Sequence, residues 1–235
     1  MMKDPVRKDR QLSGFYRCGK VQPLRRASLL QIGPNFTLRW KTTLVPTEDE
    51  EPLIIRRIKG RLISATEKHH LAGYLDWYLF EAAPFKVVRR LSFLDACDAH
   101  SQELYDLAEQ LRHNRRFSIE RLLAMGPVAF MNLLEIRPPF AGQGLAVQAT
   151  RALAAQLHND IGLHVAFMVP VPLQYQPASD NDDTAEIDQL SFRRDRAKLI
   201  RYYKRVFGLS EVKRGDGYWA WNIDDGIDNY GNLPG

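Results

Sequence analysis

Apolar and polar positions alternate over Phe36–Val45, as in a strand with one buried face. An acidic stretch, Thr47–Glu51, interrupts the pattern. Strand character returns over Leu53–Ile58 and Leu62–Ala65, and again over Leu71–Phe80, with Thr66–His70 as a hairpin turn between the last two. A helix is then predicted from a cap at Ser92 or Asp95 to about His113, with Leu104, Leu107, Ala108 and Leu111 on one face. A shorter helix over Ser118–Met125 stops at Gly126-Pro127. Val128–Ile136 is an apolar run of the buried-strand type, closed by Arg137-Pro138-Pro139. The next helix runs to about His158, burying Leu145, Ala149, Leu153 and Leu157, and residues 159–162 turn the chain. Leu163–Val169 reads as another buried strand. Residues 174–189 form a polar, acidic loop, expected to be mobile and to border a ligand cleft. A basic amphipathic helix over Ser191–Phe207 should bury Leu199, Ile200, Tyr203 and Val206, and Tyr218–Ile223 closes the pattern as a strand.

A strand meander followed by strand–helix alternation predicts an α/β (α+β) domain. Its sheet should be mixed and mostly antiparallel, with about six or seven strands and flanking helices. The expected organisation is a basic N-terminal arm (1–30) and one domain (31–225) with a helical insertion at about 92–125. A short C-terminal tail (226–235) follows.

Charge adds one feature. The net charge is +5 over 235 residues. Residues 1–30 hold eight Lys/Arg against two Asp, and Arg193–Arg205 hold seven against one. Such surfaces attract phosphate-bearing partners, although a solvated helix face has the same composition. No apolar run is long enough to cross a bilayer, and the first residues lack the apolar core of a secretory signal. Cys18 and Cys97 suggest neither a disulfide framework nor a zinc site, so the expected compartment is the cytoplasm. His69-His70 and the Asp95/Asp98/His100 group fit turn and cap roles better than metal ligation, and no metal is expected.

Between the strand ending at Ile136 and the helix beginning near Leu145 lies Ala141-Gly142-Gln143-Gly144-Leu145-Ala146. A helix N-terminus carries unpaired N–H groups and a partial positive charge, and glycines let an anion approach the backbone. A strand, a Gly-x-Gly turn and a helix therefore make a credible diphosphate seat, although such turns also simply join strands to helices.

The wider pattern Leu134-x-Ile136-x-Pro138-x-x-Ala141-Gly142-x-Gly144-x-Ala146 resembles the acyl-CoA-binding motif of the GNAT superfamily of N-acyltransferases. Ala141 stands where that family has Arg or Gln. Leu199–Leu209 is similar to the family's second landmark, a helix carrying a tyrosine and ending in glycine. The resemblance implies a GNAT-like fold whose fourth and fifth strands splay, and an activity transferring an acyl group, typically acetyl from acetyl-CoA, to an amine. It implies pantetheine pairing with the backbone at Leu134 and Ile136, and a diphosphate on residues 141–146, with Arg137 and Arg151 as the nearest substitutes for the missing guanidinium. Tyr203 would protonate the departing sulfur, with Tyr202 as the alternative if the register shifts. Glu135 is the first candidate base and Asp76 the second. The acceptor amine is open (small molecule, protein or aminoacyl-tRNA), and so is the oligomeric state, a homodimer included. A coenzyme-binding module without catalysis and a basic RNA-binding protein are the competing readings.

Overall fold

The computed structural model describes residues 27–45, 52–66, 70–83, 89–172, 188–213 and 217–224. A meander of β1 (Ala27–Ile32), β2 (Phe36–Leu44), β3 (Leu53–Ser64) and β4 (Leu71–Ala82) leads into α1 (Arg90–Asp98), α2 (Gln102–Arg112) and α3 (Ile119–Met125). Then follow β5 (Val128–Ile136), α4 (Leu145–Ile161), β6 (Val165–Met168), α5 (Gln189–Phe207), β7 (Ser210–Glu211) and β8 (Trp219–Asn222). One eight-stranded sheet has the order β1-β2-β3-β4-β5-β6-β8-β7. Every pairing is antiparallel except β5 with β6. The class is therefore mixed α/β with a mostly antiparallel sheet, as the pattern predicts. The extra strands are β1, which begins inside the span read as a basic arm, and the two-residue β7.

Several boundaries differ for identifiable reasons. β3 is continuous, not two strands, because Gly60 is a packing glycine: a Cβ there would lie 2.6 Å from Leu75 Cδ1. The long helix expected over 92–113 is two helices. Neither Ser92 nor Asp95 caps it; both lie within α1, whose N-cap is Arg89, and Ser101 caps α2 by accepting the Leu104 N–H at 3.4 Å. The face of Leu104, Leu107, Ala108 and Leu111 is buried as expected. α4 buries its predicted stripe but continues through Ile161, ending at Gly162 in the left-handed region (φ 78°). On α5, Leu199, Ile200, Tyr203 and Val206 are only half-buried, and Phe207 alone is fully enclosed. Residues 1–26 and 173–187, with most of the arm and the acidic loop, lie outside the described residues.

The sheet has a core on each face. Trp40, Trp77, Leu153 and Trp221 belong to the one under α4 and α5. Phe80, Phe93, Leu107 and Phe167 belong to the one under α1–α3, where Cys97 is also buried. The β4–β5 seam is tight: a Cβ at Gly73 would meet the Glu135 carbonyl oxygen at 2.3 Å. Gly73→Ala is therefore expected to cost about 1–3 kcal/mol, the usual range for overpacking. Urea unfolding measures it, and an unchanged midpoint would show that the seam relaxes freely.

Candidate functional site

β5 and β6 pair only from Val128/Val165 to Met131/Met168. β5 then continues to Ile136, hydrogen-bonded to β4 on one side only. Two local causes open this gap. Pro170 and Pro172, just beyond β6, have no N–H to donate, so the strand cannot extend. On β5, Trp77 pairs with Met131 and Asp76 with Leu133, leaving Asn132 as an extra residue. Such a bulge bends its strand and resets which side chains face each side.

The gap is a cleft of about 270 Å³ running through the sheet. Met131, Leu134, Met168, Leu199 and Tyr203 line it on the α4/α5 side. Phe130 and Tyr218 line it on the α1–α3 side, where Glu103 and Asp106 of α2 complete the mouth. Leu134 and Tyr203, sixty-nine residues apart in sequence, thus share one cavity. Glu103 and Asp106 were not singled out from the sequence, because acids on the outer face of an amphipathic helix look like ordinary solvated charge.

Gly142 and Gly144 both adopt left-handed backbone (φ 79° and 68°). Residues 141–144 are exposed, Ala146 is half-buried and Leu145 is buried. A Cβ on Gly142 would meet nothing within 4 Å, so the loop faces open space. Gly144 is the N-cap of α4 and supplies no side-chain cap, and the first turn carries no acid. The N–H groups at this helix start are therefore available to an anion. The second half of β5 and the start of α4 together provide an unpaired strand edge leading to an uncapped helix, which fits an extended amide chain ending in a diphosphate.

The other predicted residues divide clearly. Tyr202 does not line the cleft; its ring lies 5.8 Å from that of Tyr203 and under the Arg205 guanidinium. Tyr203 packs edge-on to Phe207 at 5.5 Å, and Phe207 in turn lies 4.9 Å from Trp221. Glu135 is separated from Tyr203: Leu134 and Ile136 pack on the α4/α5 core, and strand alternation turns Glu135 to the opposite face, beside Tyr74. Asp76 is held by Arg57 at 2.5 and 3.0 Å, and this hydrogen bond raises the guanidinium pKa, so the carboxylate is committed to an ion pair. Arg137 leans over Tyr74, and Arg151 is a buried donor to the Val206 carbonyl, so each is occupied away from the glycine loop. Asp95 and Asp98 are exposed on α1, His100 packs against Tyr78, and His69 lies outside the described residues. Among the described residues no cluster of three or more His, Cys, Asp or Glu could hold a metal, and no helix is long and apolar enough to cross a membrane.

Burial pushes the Tyr203 phenol up to about 12, with the neighbouring Tyr202 adding to the shift. Tyr218 also rises to about 12, through burial and then the nearby Asp106 and Glu103 carboxylates. Tyr218 lines the cleft, and its backbone carbonyl accepts a hydrogen bond from the Val212 N–H at 3.0 Å. Both phenols stay protonated in the folded protein at pH values where the unfolded chain has lost those protons. Between about pH 10 and 12 the native state then binds more protons, so stability falls as pH rises through that window. The expected result is a urea midpoint that drops above pH 10, less steeply in the Tyr203→Phe/Tyr218→Phe double variant. Identical slopes would remove these phenols as the cause.

No protein-family model matches the chain, and no curated protein matches it. Among solved structures it is similar to arylalkylamine N-acetyltransferase 2 from Aedes aegypti, over 69% of this chain and 73% of that one. The TM-score is 0.36 and the identity 9%. A likeness of that size leaves the functional argument to the cleft itself.

Proposed function

We propose that the protein is an acyl-CoA-dependent N-acyltransferase of GNAT-like architecture, transferring an acyl group, acetyl in the simplest case, to an amine in the cleft between β5 and β6. The observation that supports this reading is the combination of three features: the unpaired β5 edge, which lines the cleft at Leu134, the cleft's Tyr203, and the uncapped Gly-x-Gly start of α4 that follows β5 in the chain. The coenzyme enters from the α4/α5 side. Its amides pair with the backbone at Leu134 and Ile136, as a peptide pairs with a sheet edge. Its diphosphate rests on the N–H groups of residues 142–146. Ala141 contributes backbone alone, so helix dipole and N–H groups carry the charge recognition.

The amine enters through the mouth lined by Glu103 and Asp106. Its nitrogen attacks the thioester carbonyl carbon, its proton passes to a carboxylate at that mouth directly or through water, and the carbon–sulfur bond breaks. These two acids, which line the cleft, replace Glu135 and Asp76 as the base candidates. Tyr203 donates a hydrogen bond to the departing sulfur. A phenol near 12 is a weaker acid than a thiol of about 8.5, so at equilibrium the proton stays on Tyr203. Its contribution is stabilisation of developing negative charge.

Acetyl-CoA and a panel of small amines, with thiol release as the readout, test the reading. Release that depends on one class of amine is expected. Coenzyme binding without release across every amine class would make the protein a binding module.

A further inference from the structure

The face of the sheet beyond the cover of α1–α3 has a charge pattern that the sheet itself does not need. Arg39 and Lys41 of β2 stand directly opposite Arg61 and Lys59 of β3. All four are exposed, and none has a hydrogen bond or an ion-pair partner among the described residues. Like charges in cross-strand register weaken a sheet. Two such pairs are adjacent here, with successive side chains on each strand about 6.8 Å apart.

The same row continues onto β4. Arg61 pairs in register with Tyr74, whose ring lies 5.7 Å from the Arg137 guanidinium. With Leu133 and Asp76, these cations and Tyr74 line a groove of about 630 Å³. Of the acids on this face, Asp76 stands in register with Lys59 but makes its hydrogen bonds to Arg57, and Glu135 stands beyond Tyr74 at the β5 end.

We infer that this groove is a binding site for single-stranded nucleic acid. Its four unpaired cations, Arg39, Lys41, Lys59 and Arg61, contact phosphates, and Tyr74 stacks on a base. Charge complementarity selects a polyanion, and a concave basic track with an aromatic platform is what a flexible single strand requires. A bilayer is flat and gains nothing from a recessed ring. The inference is independent of acyl transfer, since the groove lies on β2–β4 with Leu133 of β5 at its edge and shares none of its lining residues with the cleft at β5/β6.

The test uses the full chain and a short fluorescent single-stranded RNA, titrated across a range of salt concentrations. The quadruple variant Arg39→Gln/Lys41→Gln/Lys59→Gln/Arg61→Gln is compared with an equal charge change on the exposed face of α5: Arg193→Gln/Arg194→Gln/Lys198→Gln/Arg201→Gln. At ~0.7 per phosphate contact on a single strand, the sheet variant should lower the salt slope by about 3 units, and the affinity at 0.1 M salt by at least about tenfold. The α5 variant should retain most of both. Tyr74→Leu should weaken binding about tenfold with the slope unchanged. The sheet variant should melt no lower than wild type, because it removes like-charge pairs, so a loss of binding will not reflect unfolding. Equal losses from the two quadruple variants, binding insensitive to Tyr74→Leu, or binding to anionic phosphatidylserine vesicles but not RNA would each overturn the inference.

Discussion

Tyr203→Phe should lower turnover about 100-fold while leaving coenzyme affinity within a factor of two. The substitution keeps the ring packed on Phe207 and removes only the hydroxyl. Deleting one preorganised donor to a developing anion typically costs ~10²–10³-fold, and the lower end applies because sulfur spreads its charge. Tyr202→Phe is the control. One residue along a helix turns a side chain by about 100°, and the Tyr202 ring sits under Arg205 outside the cleft. It should retain nearly full turnover. Full activity in Tyr203→Phe with loss in Tyr202→Phe would reverse the two roles. Full activity in both would mean that the sulfur leaves without help from either phenol.

The second large effect belongs to the acidic mouth. Replacing Glu103 by Gln and Asp106 by Asn should reduce kcat/KM for a cationic amine by roughly 10- to 100-fold, since hydrogen bonds to charged groups are worth ~1.5–3 kcal/mol. The two side chains project one helical turn apart into the same opening, so their effects should couple. If they only recruit the amine, KM rises and kcat is preserved. If one of them takes the amine proton, kcat falls as well, and more steeply at low pH. Unchanged kinetics for every amine would move acceptor entry to another face.

The framework of this site is readable in the sequence because its signals are local. The apolar run 128–136, the glycine turn and the α4 stripe each follow from neighbouring residues. Tyr203 is singled out only through the resemblance, because the periodicity of α5 marks it merely as one of four core positions, and those are half-buried. The boundaries that differ depend on distant contacts: Gly60 reads as a break until Leu75 is seen against it. The position of Glu135 depends on the bulge at Asn132. Without the extra residue, Glu135 would share the face of Met131 and look toward Tyr203; with it, Leu134 takes that face. Nothing in Met-Asn-Leu-Leu announces the bulge. Pro170 and Pro172 are different. Their spacing after an apolar strand signals in sequence that β6 must stop, and hence where the gap opens. Glu103 and Asp106 become visible only when α2 is placed beside β5.

A titration with acetyl-CoA followed by thermal unfolding is the sharpest test of whether the β5 edge and the α4 N-terminus hold a coenzyme. A ligand at about 100 times its dissociation constant stabilises the native state by ~2.7 kcal/mol, or roughly 5–10 °C in a domain of this size. The comparison variant is Gln143→Glu, which puts a negative charge in the exposed loop without disturbing either left-handed glycine. A coenzyme site there gives a concentration-dependent rise in Tm for wild type and a rise of less than half that size for Gln143→Glu at the same coenzyme concentration. No rise at millimolar acetyl-CoA, or an equal rise in both proteins, would contradict it.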